Sequence, residues 1–366
     1  MEALNKANTN FALDFFKHQC QEDGNKNILF APLSISSVLA TVYLGAKGNT
    51  ADQMAKVSLG PERSERTEIG KSGNIHTGFK ALNLEINKPN KNYMLKSVNQ
   101  LYGEKSLPFS KEYLQLAKKY YNAEPQAVDF MGAANEIRRE INSRVEEQTE
   151  GKIQNLLPPG SIDSLTRLVL VNALYFKGTW ATKFEAEATR QRPFRINTVC
   201  EYNALYIRLH VEKTVKKMDE RISCHSLNPQ SIKIKELTFE NLSAWTSPEL
   251  MEKMKVELYL PRFTVEEKYN LKSALSKMGI QDAFTEGQAD FTGMSEKDNL
   301  VLSQVFHKCY VEVNEEGTEA AAASSAALTS RSLGAAIIFV ADHPFLFFIR
   351  HNSTKCILFL GRFCSP

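Results

Sequence analysis

The sequence lacks the features that mark several common classes of protein. Its longest apolar stretch, residues 335–349, is interrupted by Asp342, His343 and Pro344, whereas a bilayer-spanning helix needs roughly 20 largely apolar residues. A glycine-rich phosphate loop and a Gly-x-Ser-x-Gly elbow are both missing, which argues against a hydrolase of the elbow type. The net charge of +3 is too small to indicate nucleic acid or a membrane surface by itself. We therefore expect neither a membrane nor a nucleic-acid partner.

Cysteine and histidine are present but scattered. The six cysteines include no close pair of the metal-binding kind, and the seven histidines have no metal-binding helical spacing. We therefore expect no metal and no cofactor, and, because no catalytic constellation is visible, we expect that the chain is not an enzyme. The N-terminus has no cationic start followed by an apolar core. This predicts a cytoplasmic protein with reduced thiols.

The apolar pattern predicts helices and strands in no regular alternation. Such a mixture favours a single mixed α+β domain, here spanning residues 1–366. The predicted helices are residues 3–20, a helix starting at Pro32, and a helix within residues 135–153 that ends at Gly151 as its C-terminal cap. The predicted strands are residues 27–30, 168–176 and the hairpin 343–350 with 356–363. Residues 60–74 are predicted to form an exposed loop.

Two polar residues lie inside apolar runs. Asn172 is in the middle of the predicted strand 168–176, and His307 follows Val305 and Phe306 in another strand-like run. Buried polar side chains need hydrogen-bond partners. We therefore expect Asn172 and His307 to be partners in the core.

A run of small residues, 315–332, precedes the apolar C-terminal part of the chain. It carries Arg331 near its end and contains no proline between Gly317 and Arg331. One interpretation is a flexible, alanine-rich linker. The other is an extended segment that offers Arg331 to a protease and can later join a sheet, because proline would remove a ladder donor. If Thr318 faces inward in such a strand, the side chains that share its face are all small, namely Ala320, Ala322, Ser324 and Ala326.

Several motifs resemble those of the serpins, most closely the intracellular ovalbumin-type branch that includes leukocyte elastase inhibitor. The resemblance covers about nine-tenths of the chain, and its hinge motif together with its signature near the C-terminus is highly specific. The motifs are residues 27–36, 168–180, the hinge-like 311–320, the signature-like 339–349, and the C-terminal 361–366.

The resemblance implies a serpin fold, with a main mixed sheet, smaller sheets, surrounding helices and an exposed reactive loop at about residues 315–340. It also implies a monomeric suicide inhibitor of a serine protease, with leaderless release to the extracellular space as a further possibility. Arg331 would suit the acidic specificity pocket of a trypsin-like protease. The alternative is that the neighbouring Leu333 serves a chymotrypsin-like protease. The implied reactive bond is Arg331–Ser332, the hinge is Glu316, Gly317, Thr318, Glu319, Ala320, Ala321, Ala322 and Ala323, and the polar shutter and breach residues are Ser34, Asn172, Trp180 and His307.

The chain departs from the serpin pattern in three places. One is Arg144, which stands where the family usually has a tryptophan in the helix over the main sheet. Ala31 stands where a serine normally precedes Pro32, which removes one hydroxyl from the shutter. Residues 195–236 are atypical, because the apolar runs of several strands are missing there. Missing strands would leave neighbouring strand edges unpaired. The alternative function is therefore a non-inhibitory or inactive serpin that acts as a substrate, chaperone or binding protein.

Overall fold

The computed structural model describes residues 2–59, 72–91, 93–197, 200–216, 237–247, 249, 251–297, 300–315 and 337–366. Within these ranges no helix is both long and apolar enough to cross a bilayer. Helices α1 to α8 are Glu2–Glu22, Pro32–Tyr43, Gly48–Leu59, Ser72–Ile86, Lys111–Tyr121, Phe130–Gln148, Phe239–Trp245 and Lys272–Met278. Strands β1 to β12 are Ile28–Phe30, Tyr93–Glu104, Gln126–Val128, Leu168–Gly178, Arg190–Arg195, Glu201–Lys216, Met251–Pro261, Phe263–Asn270, Leu302–Val313, Ile337–Val340, Phe345–His351 and Cys356–Phe363.

The strands within the described residues form three sheets. The central sheet has five strands in the order β3-β2-β4-β9-β8, a second sheet has the order β10-β7-β6-β5, and a third has the order β1-β12-β11. The central sheet is mixed, because β2 is antiparallel to β4 whereas β4 is parallel to β9. The expected mixed α+β architecture with one main sheet, two smaller sheets and surrounding helices is confirmed.

The main core lies between helices α1 and α2 and the sheets. Helix α1 places Phe11 and Phe15 on one face, as its four-residue spacing predicts. The Phe15 ring meets Phe30 of β1 edge to face, with 4.7 Å between the ring centroids. Burying each such ring contributes about 1.5–3 kcal/mol, so these contacts hold the first helix and first strand against the body of the protein.

Most predicted elements are present, with shifted ends. Helix α1, the start of α2 at Pro32, strand β4 and the hairpin of β11 with β12 all agree with the prediction. Helix α6 ends at Gln148, and the predicted cap Gly151 lies just beyond that end with a positive φ of 76°, next to Glu150 with a φ of 55°. Helix α4 begins at Ser72, inside the predicted loop; residues 60–71 of that loop lie outside the described residues.

The atypical segment contains a long paired strand. Strand β6, Glu201–Lys216, is antiparallel to β5 on one side and to β7 on the other. The expectation of unpaired neighbouring edges is therefore wrong for residues 201–216. The strand was missed because its apolar centre, where Ile207 is fully buried, is short and has charged residues on both sides. Residues 217–236 lie outside the described residues.

Candidate functional site

The seam between β4 and β9 is the centre of the candidate site. The two strands run parallel and are directly hydrogen-bonded, in a register that places Asn172 opposite His307. Residues 168–175 of β4 are all buried, as expected for a strand covered on both faces. Strand β9 leads to Glu315, so the chain enters the predicted reactive loop directly from one side of this seam.

A polar cluster of Ser34, Asn99, Asn172 and His307 lies beneath the seam. Asn172 and His307 are both fully buried, and the predicted bond between them is present, with 2.5 Å between His307 Nδ1 and Asn172 Oδ1. The Asn172 amide donates to Ser34 Oγ across 2.6 Å and also to Asn99 Oδ1. Ser34 Oγ in turn donates to Asn99 Oδ1. Four side chains from α2, β2, β4 and β9 are thus joined in one network.

The network assigns the tautomer of His307. Because the Ala31 backbone N–H donates to Nε2 across 3.1 Å, Nε2 is the acceptor and Nδ1 carries the proton that Asn172 accepts. Burial lowers the pKa of His307 to about 3, so the ring is neutral at physiological pH. Ala31 therefore contributes to the cluster through its backbone, although its side chain lacks the hydroxyl of the serpin pattern.

Asn99 is the member of the cluster that the sequence did not reveal. It lies on β2 and is paired with Asn172 of β4 in the sheet register. The one feature that distinguishes Asn99 is its position opposite Asn172 in the sheet. That position becomes known only when β2 and β4 are aligned in their register.

The start of the predicted loop is anchored by Trp180. The indole Nε1 donates to the backbone oxygen of Asn314 across 2.8 Å, and the ring packs on Phe184. Both the backbone and the side chain of Glu315 are hydrogen-bonded to the body. Its backbone oxygen accepts from the Phe184 N–H, and Thr189 Oγ1 donates to its Oε1 across 2.8 Å. We call Asn314 and Glu315 the loop root.

The end of the predicted loop is anchored on another sheet. Strand β10 begins at Ile337 and pairs parallel with β7. Just beyond it, Ala341 donates its N–H to Tyr259 O and accepts from the Tyr206 hydroxyl across 3.1 Å. Both ends of the loop are therefore held by the body. The predicted hinge (316–323) and the reactive bond Arg331–Ser332 lie outside the described residues.

Residues 149–157, which follow helix α6, lie across the outer face of the seam. We call them the strap. Lys152 Nζ lies 6.0 and 5.7 Å from the ring centroids of Tyr175 on β4 and Tyr310 on β9. The Gln154 backbone oxygen accepts from Lys308 Nζ across 2.7 Å. The strap therefore contacts both strands of the seam.

Acid is expected to destabilise the protein through two buried histidines. His76 lies among tyrosine rings and contacts the Tyr121 hydroxyl across 2.5 Å. Burial lowers the pKa of His76 to about 4 and that of His307 to about 3, from 6.5. Below pH 6.5 the unfolded chain therefore binds more protons, so the stability due to each neutral ring is complete above pH 6.5 and is lost as the pH falls toward 4 or 3. At about pH 5 each histidine should cost roughly 2 kcal/mol of unfolding free energy.

Urea unfolding across this pH range measures the effect. His76→Phe should reduce the slope of the unfolding free energy against pH by about 1.4 kcal/mol per pH unit. This reduction is expected between the folded-state pKa of His76, about 4, and the ordinary histidine value of 6.5. Glu267 acts in the opposite direction, since burial raises the pKa of its carboxyl to about 7, and Glu267→Gln separates that contribution. An unchanged slope in His76→Phe would contradict the assignment.

The described residues contain no group of three or more His, Cys, Asp or Glu side chains arranged to hold a metal ion. The chemistry that the seam offers is conformational. It is a pair of parallel strands above a polar cluster, and the chain that leaves one of them forms a long loop.

Comparison with known proteins connects this geometry to a family. A protein-family model described as "Serpin (serine protease inhibitor)" matches residues 6–366. Serpin B10 of Plecturocebus moloch is 48% identical over 399 positions, and human plasminogen activator inhibitor 2 is 43% identical over 415; each alignment covers 100% of both chains. These alignments exceed the 366 residues of this chain, so the relatives carry residues that it lacks.

Solved structures of serpins have the same fold as this chain. The crystal structure of uncleaved ovalbumin superposes with a TM-score of 0.87 at 34% identity, covering 99% of this chain and 100% of ovalbumin. A tumour-suppressing serpin gives a TM-score of 0.87 at 32% identity, with both chains covered completely. The ovalbumin-type part of the resemblance is thus supported.

Two expectations change with these findings. Serpin B10 and plasminogen activator inhibitor 2 are among the most similar relatives, so a special likeness to leukocyte elastase inhibitor is not confirmed. The expectation that the chain is not an enzyme is corrected, because it names no activity. The matching family is one of serine protease inhibitors. Because the family model matches residues 6–366 and the predicted loop leaves the body directly from β9 at the seam, this protein belongs to the serpin family.

Proposed function

We propose that the protein is a suicide inhibitor of a trypsin-like serine protease, with Arg331–Ser332 as the reactive bond. The protease serine attacks the Arg331 carbonyl, the bond to Ser332 breaks, and an acyl-enzyme forms. The loop between Glu315 and Arg331 is then tethered to the body only at the loop root. It enters the seam as a new strand before hydrolysis releases the protease.

The direction of β4 and β9 is the observation that carries this proposal. Because the two strands are parallel, a chain that leaves β9 and turns back runs antiparallel to both of them. Its insertion replaces one parallel ladder with two antiparallel ladders, and antiparallel pairing is somewhat more stable per residue. Cleavage therefore allows a gain in pairing that the intact loop does not have.

The side chains of the loop suit this insertion. In the inserted strand Thr318, Ala320 and Ala322 would face the core, and all three are small. Glu319 would face outward, as a charged side chain must. Arg331 supports a trypsin-like target, because an acidic specificity pocket pairs with a guanidinium group; with Leu333 as the reactive residue the target would be chymotrypsin-like instead.

The test is the formation of a covalent complex with trypsin. Incubation should give a detergent-stable band at the sum of the two masses, and trypsin with a blocked active-site serine should give none. Clean cleavage after Arg331 without such a band would rule out inhibition. Cleavage at Leu333 by chymotrypsin, with a stable complex, would instead move the reactive bond.

A non-inhibitory serpin is the second candidate. It is favoured by the alignments with Serpin B10 and plasminogen activator inhibitor 2, which are longer than this chain, since a scaffold that lacks residues of its relatives would store less strain. We infer that the missing residues belong to the segment 195–236. A melting temperature that is unchanged after loop cleavage would support this candidate, whereas an inhibitor should gain on the order of 10 °C from the added strand.

We further propose, from the sequence, that the chain is a single serpin domain, acts as a monomer in the cytoplasm, and can reach the extracellular space without a leader. Size-exclusion chromatography with light scattering measures the molar mass in solution and so tests whether the protein is a monomer. Cell fractionation measures the location.

A further inference from the structure

Arg362 brings the C-terminal end of the chain to helix α1. Its side chain is almost completely buried, at 4% exposure, and Nη1 donates to Cys20 Sγ across 3.4 Å. Nη2 donates to the backbone oxygens of Asp23 and Lys26 across 2.8 and 2.9 Å. Because these two carbonyl groups hold the guanidinium group, the Cys20 sulfur is held at a defined place beside β12.

Cys364 faces the same side as Arg362. Side chains two residues apart along an extended chain point in the same direction, and the intervening Phe363 points the other way, where it stacks on Phe263 at 4.5 Å. The Cys364 backbone N–H donates to Asn27 Oδ1 across 2.6 Å, which fixes the chain just beyond β12. Burial raises the pKa of the Cys20 and Cys364 thiols, and the positive charge of Arg362 acts to lower the pKa of both. Two sulfur atoms therefore share one buried cation.

We propose that Cys20 and Cys364 form an intramolecular disulfide when the protein meets a small disulfide such as glutathione disulfide. Cys20 is half-buried on helix α1, whereas Cys364 is 2% exposed. Cys20 is thus the thiol that meets the oxidant, and Cys364 is the thiol that completes the bond.

The exchange balances in two steps. The Cys20 thiolate attacks one glutathione sulfur, forms a mixed disulfide and expels a glutathione thiolate. The Cys364 thiolate then attacks the Cys20 sulfur and expels the second glutathione thiolate. The two protein thiols are oxidised and lose two protons, and one glutathione disulfide is reduced to two thiols.

The environment makes the exchange slow and selective. Burial raises the pKa of both thiols, and the Arg362 charge opposes that rise. Since the thiolate is the attacking form, we expect hours rather than seconds. In a reducing cytosol both cysteines stay as thiols, and the bond forms only in an oxidising environment. The proposal does not depend on protease inhibition.

Peptide mapping of the full-length folded protein tests the proposal. After incubation with glutathione disulfide and alkylation of the remaining thiols, digestion should yield a linked pair of peptides containing Cys20 and Cys364. Cys200 is exposed, so its mixed disulfide with glutathione serves as the internal control that the glutathione disulfide has reacted. Cys364→Ser should abolish the linked pair and leave glutathione on Cys20.

Thermal unfolding gives a second measurement. The oxidised wild type should melt several degrees above the reduced protein, reversibly with dithiothreitol, and Cys364→Ser should show no such shift. Recovery of Cys20 and Cys364 as free thiols, or each with its own glutathione, while Cys200 is modified would overturn the proposal. The wild-type digest decides the matter even if the serine variant does not fold.

Discussion

Replacing Arg331 with alanine is expected to lower the rate constant for inhibition of trypsin by about 30-fold or more. In the proposed complex the guanidinium group is buried against an acidic pocket, and removing one partner of a buried charge pair costs roughly 2–5 kcal/mol. Each 1.4 kcal/mol is about a tenfold change. The measurement is the second-order rate constant from progress curves with a chromogenic substrate.

Two variants make the Arg331 result specific. Arg139→Ala removes the same charge from an exposed position on helix α6, so it should leave the rate nearly unchanged. Arg331→Leu should weaken inhibition of trypsin and create inhibition of chymotrypsin. If Arg331→Ala inhibits trypsin as well as the wild type does, the reactive bond is not Arg331–Ser332.

Replacing Ala320 with proline is expected to turn the protein from an inhibitor into a substrate. In the inserted strand the proline would remove a ladder donor and leave a buried acceptor unpaired. A cost of about 1–3 kcal/mol slows insertion roughly 10- to 100-fold relative to hydrolysis. Trypsin should then cleave after Arg331 and leave, and the yield of covalent complex should fall by about tenfold or more.

The matched control is Ala320→Ser, which keeps the backbone donor and a small side chain. It should form the complex as the wild type does. The cleaved proline variant should also lack the rise in melting temperature expected of the cleaved wild type. Normal complex formation by Ala320→Pro would mean that residue 320 does not enter the sheet.

The sequence predicted those parts of the fold whose signal is local. The spacing of Phe11 and Phe15 marks helix α1, and the apolar run of β4 marks a strand buried on both faces. Strand β6 was missed, because its buried residues are few and its ends are charged; what makes it a strand is pairing with β5 and β7. That pairing is a tertiary property which no short window of sequence contains.

The same distinction applies to the site. Asn172 and His307 could be predicted as partners because each is a polar residue inside an apolar run. Asn99 could not, since β2 has polar residues along much of its length and only its register with β4 singles out this one. The roles of Trp180 and of the hinge came from the serpin resemblance, and the hinge role stays a prediction.

The pairing of β1 with β12 has a consequence for how the protein is made. Ile28 is paired with Arg362, and the carbonyl groups that follow helix α1 are bound by the Arg362 side chain. A ribosome releases the N-terminal end of this pair long before it has synthesised the other end. The first strand of the nascent chain therefore stays unpaired until β12 has emerged from the ribosome. A stop codon placed just before Cys356 should leave both β1 and β11 without their partner strand and should therefore destabilise the fold.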